Sequence, residues 1–181
     1  MQKSEFTQDE ELMIQREFEA LLDDYAHTPH RQKVELITHA FNFAHKAHYG
    51  VRRLSGEPYI LHPIAVARIC VREIGLGSTS ICSALLHDVV EDTDYTLEDL
   101  AAEGFGKDLL EAVALMTHED DVPYLDYVAK LKDNPIARAV KLADLAHNSD
   151  LARIGEVDEE TRERLEKYQK AIALLKGNPL R

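Results

Sequence analysis

The sequence of 181 residues predicts an all-α bundle. Three observations carry this: apolar residues recur at helical spacing nearly throughout, no alternating strand pattern occurs, and no repeat or low-complexity linker interrupts the chain. Leu12 to Tyr25 reads as a first amphipathic helix with an acidic lead-in, Asp9-Glu10-Glu11. Val34 to Tyr49 reads as a second, with Ile37, Ala40, Phe41 and Ala44 at helical spacing, and Gly50 ends it. Val51 to Tyr59 holds Ser55-Gly56 and Pro58 and reads as a loop. His62-Pro63 then opens a helix through about Ile74, because proline suits a first turn. Gly75-Leu76-Gly77 breaks the chain, and Ser78 is placed to cap the next helix. Thr96 with Asp99 reads as a capping pair for a short helix, and Gly104 and Gly106 separate it from Lys107 to Met116. Thr117 to Pro123 is an acidic loop and Tyr124 to Leu131 a short helix. Asn134-Pro135 caps a helix holding Asp144 and Asn148, and a charged helix from Asp158 to Leu175 follows. The expected organisation is an N-terminal helical extension (1–30), a core (31–155) and a C-terminal helix packed on it (156–181).

Composition narrows the function. A hydrophobic content of 45% suits one ordinary core, which leaves no room for a second catalytic domain. The net charge of −12 argues against nucleic acid or anionic membrane as a partner, so an anionic substrate needs a local basic patch. Cys70 and Cys82 lie in apolar surroundings without zinc spacing and read as buried free thiols. With no long apolar run and no signal-peptide pattern, a soluble cytoplasmic protein is expected.

His87-Asp88 ends the apolar run Ile81 to Leu86 and is followed at once by Val89-Val90-Glu91-Asp92. On a continuous helix Glu91 and Asp92 would share the face of Asp88, and a metal centre explains that crowding of acids. With His62 and Asp144, the dipeptide makes two imidazoles and two carboxylates, enough ligands for one divalent ion. That pattern points to a metallohydrolase, since a divalent ion both activates water and neutralises phosphoryl oxygens.

Three blocks then resemble one family: His45 to Pro63, containing Arg53-Leu54-Ser55-Gly56-Glu57-Pro58; Ala84 to Thr93; and Val140-Lys141-Leu142-Ala143-Asp144. They are similar to the HD-domain hydrolase of the RelA/SpoT alarmone enzymes, over roughly residues 30 to 155. Without room for a synthetase domain, the likeness is greatest to the stand-alone small alarmone hydrolases, the class that includes the metazoan SpoT homologue. The resemblance implies an HD-domain helical bundle with His62, His87, Asp88 and Asp144 as ligands of Mn2+ and Glu91 and Asp92 as the acids that deprotonate water. It also implies Arg53 and Asn148 as contacts to a small-molecule nucleotide. The expected reaction removes the 3′-pyrophosphate from (p)ppGpp. Arg52, Lys141 and Lys46 are further basic candidates for the phosphates by proximity in sequence.

The departures from the family pattern concern the nucleotide. Leu54 and Leu145 stand where basic residues are usual, and Asn148 is followed by Ser149-Asp150 rather than a hydrophobic residue and an arginine. Two alternatives follow: a related phosphohydrolase acting on another phosphorylated nucleotide or dinucleotide cofactor, and a catalytically weak nucleotide-binding regulator. Bland readings stand beside these, with His39, His45, His48, His118 and His147 as surface or supporting residues, although His147 adjoins Asn148. The oligomeric state is not set by these residues.

Overall fold

A computed structural model describes residues 4–29, 32–74, 76–150 and 158–177. The described residues form α-helices joined by short turns, with one isolated bridge between Arg52 and Pro58 and no strand. The predicted boundaries at 30/31 and 155/156, like Gly75, lie outside the described residues.

Helix α1 spans Gln8–Ala26, α2 Val34–Ala47 and α3 Leu61–Ile69, which continues into a π-helical turn, Cys70–Ile74. Next come α4 (Ser78–Leu86), α5 (Val89–Asp92), α6 (Leu97–Ala102) and α7 (Lys107–Met116). The chain goes on to α8 (Tyr124–Lys130), a 3₁₀ turn (Leu131–Asp133), α9 (Pro135–Asn148) and α10 (Glu159–Leu175).

Local chemistry sets most helix starts. Thr7 and Glu10 close a capping box on α1, Thr96 and Asp99 close another on α6, and the Asn134 side chain accepts from the amides of Ile136 and Ala137 ahead of Pro135. Ser78 departs from expectation: Gly77 is the N-cap of α4 and no side chain caps it.

Helix α4 is the centre of the bundle. Ser80 through Leu86 are all buried, and the helix packs against α2, α3, α7 and α9. The apolar Ile81, Cys82, Ala84, Leu85 and Leu86 cover most of its circumference, and the Ser83 hydroxyl is satisfied within the helix by the Thr79 carbonyl, so the helix suits the interior. Ile14, Phe18, Leu21 and Tyr25 of α1 belong to the same core, with Phe18 stacked on Phe41 at 3.9 Å between ring centres. Arg68 and Arg72 meet Asp24, and Arg68 also meets Glu17, fixing α1 to α3 and the π turn. The first helix is therefore part of the packed body rather than an appendage. Cys70 and Cys82 are buried free thiols, and burial pushes each up to about 12.

Candidate metal centre

Three helices deliver the ligand candidates. His62 stands in the first turn of α3, His87 and Asp88 follow the last turn of α4, and Asp144 lies inside α9. The ligand atoms of His62, His87 and Asp88 all lie within 4.8 Å of one another. Asp144 Oδ1 approaches them, 3.2 Å from His62 Nε2 and 3.9 Å from His87 Nε2, but stands at the edge of that group.

The imidazoles are oriented from behind. His87 Nδ1 lies 2.7 Å from the Ala84 carbonyl oxygen, which can only accept, so this nitrogen carries the proton. Its Nε2 is buried without a hydrogen-bond partner, although Asp88 Oδ2 is 3.0 Å away. This buried nitrogen faces the carboxylate oxygens of Asp88 and Asp144, and imidazole with carboxylate is a donor set that divalent cations accept. His62 Nδ1 meets His147 Nδ1 at 2.8 Å, so one ring donates to the other and His62 Nε2 faces the cluster.

The carboxylates are held as firmly. Tyr59 donates to Asp88 Oδ2. Asp144 Oδ1 accepts from Asn148 Nδ2 at 2.6 Å, and its Oδ2 accepts from Lys141 Nζ at 2.9 Å. Burial alone would raise both acids; His87 beside Asp88 and Lys141 beside Asp144 outweigh it and hold them well below the usual carboxylate range. Burial lowers His62, favouring the neutral ring that a metal needs. Burial also works against protonation of His87, yet Asp88 and Asp144 hold it up at about 9, a positive charge that a cation would replace.

The acidic pair is arranged differently from the continuous helix read in the sequence. The helix breaks at His87-Asp88, and Asp88 becomes the N-cap of the 4-residue α5. The Asp92 amide still bonds the Asp88 carbonyl at 2.9 Å, one turn on. Asp92 reaches solvent, while partial burial, Asp88 and Glu91 together raise its carboxyl to about 6. Glu91 accepts from the His118 amide at 2.8 Å, which ties α5 to the acidic loop.

The nucleotide candidates separate. Arg53 Nη2 donates to Asn148 Oδ1 at 3.0 Å, and its Nη1 is buried without a partner, so Arg53, Asn148 and Asp144 form one chain of contacts. Arg52 is engaged elsewhere: Glu10 takes its guanidinium in a two-pronged pair, and its bonds run to the N-terminal segment and the turn rather than to the cluster. The Lys141 ammonium pairs with Asp144 and lies over the Tyr127 ring. Lys46 sits over Tyr95. Leu54 is fully exposed at the tip of the turn, whereas Leu145 is buried in the core and so could not have faced a nucleotide.

Sequence reasoning missed Tyr59, whose role depends on a partner 29 residues away, and Tyr168. Helix α10 packs on α8 and α9, and burial, with the Asp144 carboxylate adding to it, raises its Tyr168 phenol. His147 had a signal: it lies three residues after Asp144 on one helix.

Residues 40–173 match the HD domain family. A GTP pyrophosphokinase of Streptomyces coelicolor is 37% identical over 145 residues, 73% of this chain and 17% of that protein. A guanosine-3′,5′-bis(diphosphate) 3′-pyrophosphohydrolase of Vibrio cholerae is 44% identical over 94 residues, 52% of this chain and 13% of that protein. The chain thus spans less than a fifth of these curated relatives. A solved structure of a metazoan SpoT orthologue, described as hydrolysing ppGpp, superposes with a TM-score of 0.66 at 26% identity, covering 79% of this chain and 86% of that one. The helical bundle, the matched segment and the His-Asp centre agree, and the chain belongs to the HD-domain family.

Proposed function

We propose that the protein is an Mn2+-dependent hydrolase that removes the 3′-pyrophosphate from guanosine polyphosphates, converting (p)ppGpp to GDP or GTP and pyrophosphate. The observation that carries this reading is the buried cluster of His62, His87 and Asp88, with Asp144 beside it. The names of the Vibrio cholerae relative and of the metazoan orthologue support the substrate class.

When bound by His62, His87, Asp88 and Asp144, the divalent ion supplies a water of lowered pKa and neutralises phosphoryl oxygens. The protein's own groups do the rest. Asp92, raised to about 6, accepts the proton of the attacking water, and a cation nearby would keep it ionised at neutral pH. Glu91, fixed by the His118 amide, orients that water. The water oxygen bonds to phosphorus as the bond from phosphorus to the ribose 3′-oxygen breaks, and the proton that Asp92 has taken from the water is returned, through solvent, to the departing oxygen. Arg53, with a free buried donor, meets the phosphate charge, while Lys141 balances Asp144 from behind.

Incubating the Mn2+-loaded protein with ppGpp, with Asp88→Ala as blank, tests the reading. GDP and pyrophosphate at a catalytic rate are expected. No turnover with metal confirmed in the protein would refute the substrate and favour the second reading, hydrolysis of another phosphorylated nucleotide. That reading draws on exposed Leu54, which leaves the turn with one cation fewer toward the ligand.

A further inference from the structure

Residues 4–10 precede the segment that matches the HD domain, yet they grip the turn that carries Arg53. The Ser4 amide donates to the Gly50 carbonyl at 2.9 Å. Gly50 has φ +75°, and a Cβ there would stand 3.0 Å from the Ser4 carbonyl oxygen, so the close approach requires glycine. Beyond Gly50, Arg52 Nη1 and Nη2 reach Glu10 Oε1 and Oε2 at 2.5 and 3.0 Å. Arg52 Nε donates to Ser4 Oγ at 2.6 Å, and Nη1 also donates to the Gly56 carbonyl at 2.9 Å. One guanidinium therefore joins the start of α1 to both arms of the turn.

The turn is extended where it matters. Arg52 bridges to Pro58, and the Arg53 amide donates to the Glu57 carbonyl at 3.0 Å. Successive side chains on extended backbone point to opposite faces. With Arg52 held outward by Glu10, Arg53 is turned inward, where it meets Asn148. We infer that Glu10 is a positioning residue for Arg53, acting through Arg52 and the 50–58 turn; its effect on turnover rests on the proposed function. Released from Glu10, the turn rotates more freely and Arg53 spends less time beside Asn148.

Glu10→Gln tests this cleanly, because glutamine keeps an oxygen for the Thr7 cap while the ion pair is lost. With the Mn2+-loaded protein, KM for ppGpp should rise roughly five-fold or more, the lower range of coupling between linked sites. The kcat and Mn2+ affinity should stay within about two-fold, since neither the ligands nor the acids are touched. The Arg53 side-chain Nε–H signal, followed by NMR, should become more mobile. Thr7→Ala, which weakens the cap and leaves the pair, should keep the wild-type KM. A wild-type KM and an unchanged Arg53 signal in Glu10→Gln overturn the inference, as does an equal rise in KM in Thr7→Ala. Should the wild-type protein leave ppGpp intact, the proposed function fails by itself, and the Arg53 signal alone then decides for or against positioning by Glu10.

Discussion

His147 and His62 share one proton between two Nδ1 atoms, so each ring dictates the tautomer of the other. With His62 Nε2 turned to the cluster, His62 must donate and His147 accept. His147→Leu removes the acceptor and should weaken metal binding about 10- to 100-fold, the range for such supporting groups. His147→Gln, which offers an amide oxygen, should lose less. Calorimetric titration with Mn2+ checks the order, and a leucine variant that binds like wild type would sink the tautomer argument. Glu10 offers a second test, far from the ligands. Hydrogen bonds from Arg52 and from the Thr7 backbone lower its carboxyl from 4.5 to about 2. A depressed acid stabilises the fold above its unfolded pKa, so this contribution is intact above about pH 4.5 and disappears as pH falls toward 2. Carbon-detected titration should place its midpoint in that window, and Arg52→Gln should move it upward. At this scale the step from Asp88 to Glu91 and Asp92 could be read because it is local, whereas the approach of His62, His87 and Asp144 spans elements far apart in sequence. The separate fates of Arg52 and Arg53 were not, because the partner that turns Arg52 outward is 42 residues away in sequence.

Between residues and the bundle stands α4. Its apolar run was readable as a helix, and so were the caps at Asn134 and at Thr96 with Asp99, whose partners lie within the same turn. The break at His87-Asp88 escaped the sequence, since nothing local stops that helix; its end is bound up with the tertiary cluster into which His87 Nε2 points. The likeness to the family made Leu145 look like a lost pocket cation, yet α9 packs on α3, α4 and α7 and buries it. Leu85, fully buried, faces this packed interior two residues before His87. Leu85→Ala should cost roughly 2–5 kcal/mol by urea denaturation, because neighbours on every side limit collapse into the cavity. It should also loosen metal binding by letting the end of α4 shift, and full stability in that variant would mean that α4 is not the packing centre described.

For the molecule as a whole, the ligand candidates come from α3, the end of α4 and α9, so a bound cation would tie together elements distant in sequence. A cation that binds only the folded state adds about 2.7 kcal/mol of stability at a hundred times its dissociation constant. Thermal scans should therefore show Mn2+ raising Tm, EDTA reversing the rise, and Asp88→Ala abolishing it. An equal rise in Asp88→Ala would place the metal elsewhere. No described helix is long and apolar enough to cross a membrane.

The two cysteines carry a practical corollary. Thiols that are buried and pushed up to about 12 hold almost no thiolate at neutral pH, so alkylating reagents should pass the folded protein by. A cysteine written in place of Leu54, the fully exposed residue next to Arg53, would then be the one reactive handle on the chain. A fluorophore attached there would sit at the tip of the turn and test the arrival of the proposed nucleotide in real time, without a radioactive label or a coupled enzyme.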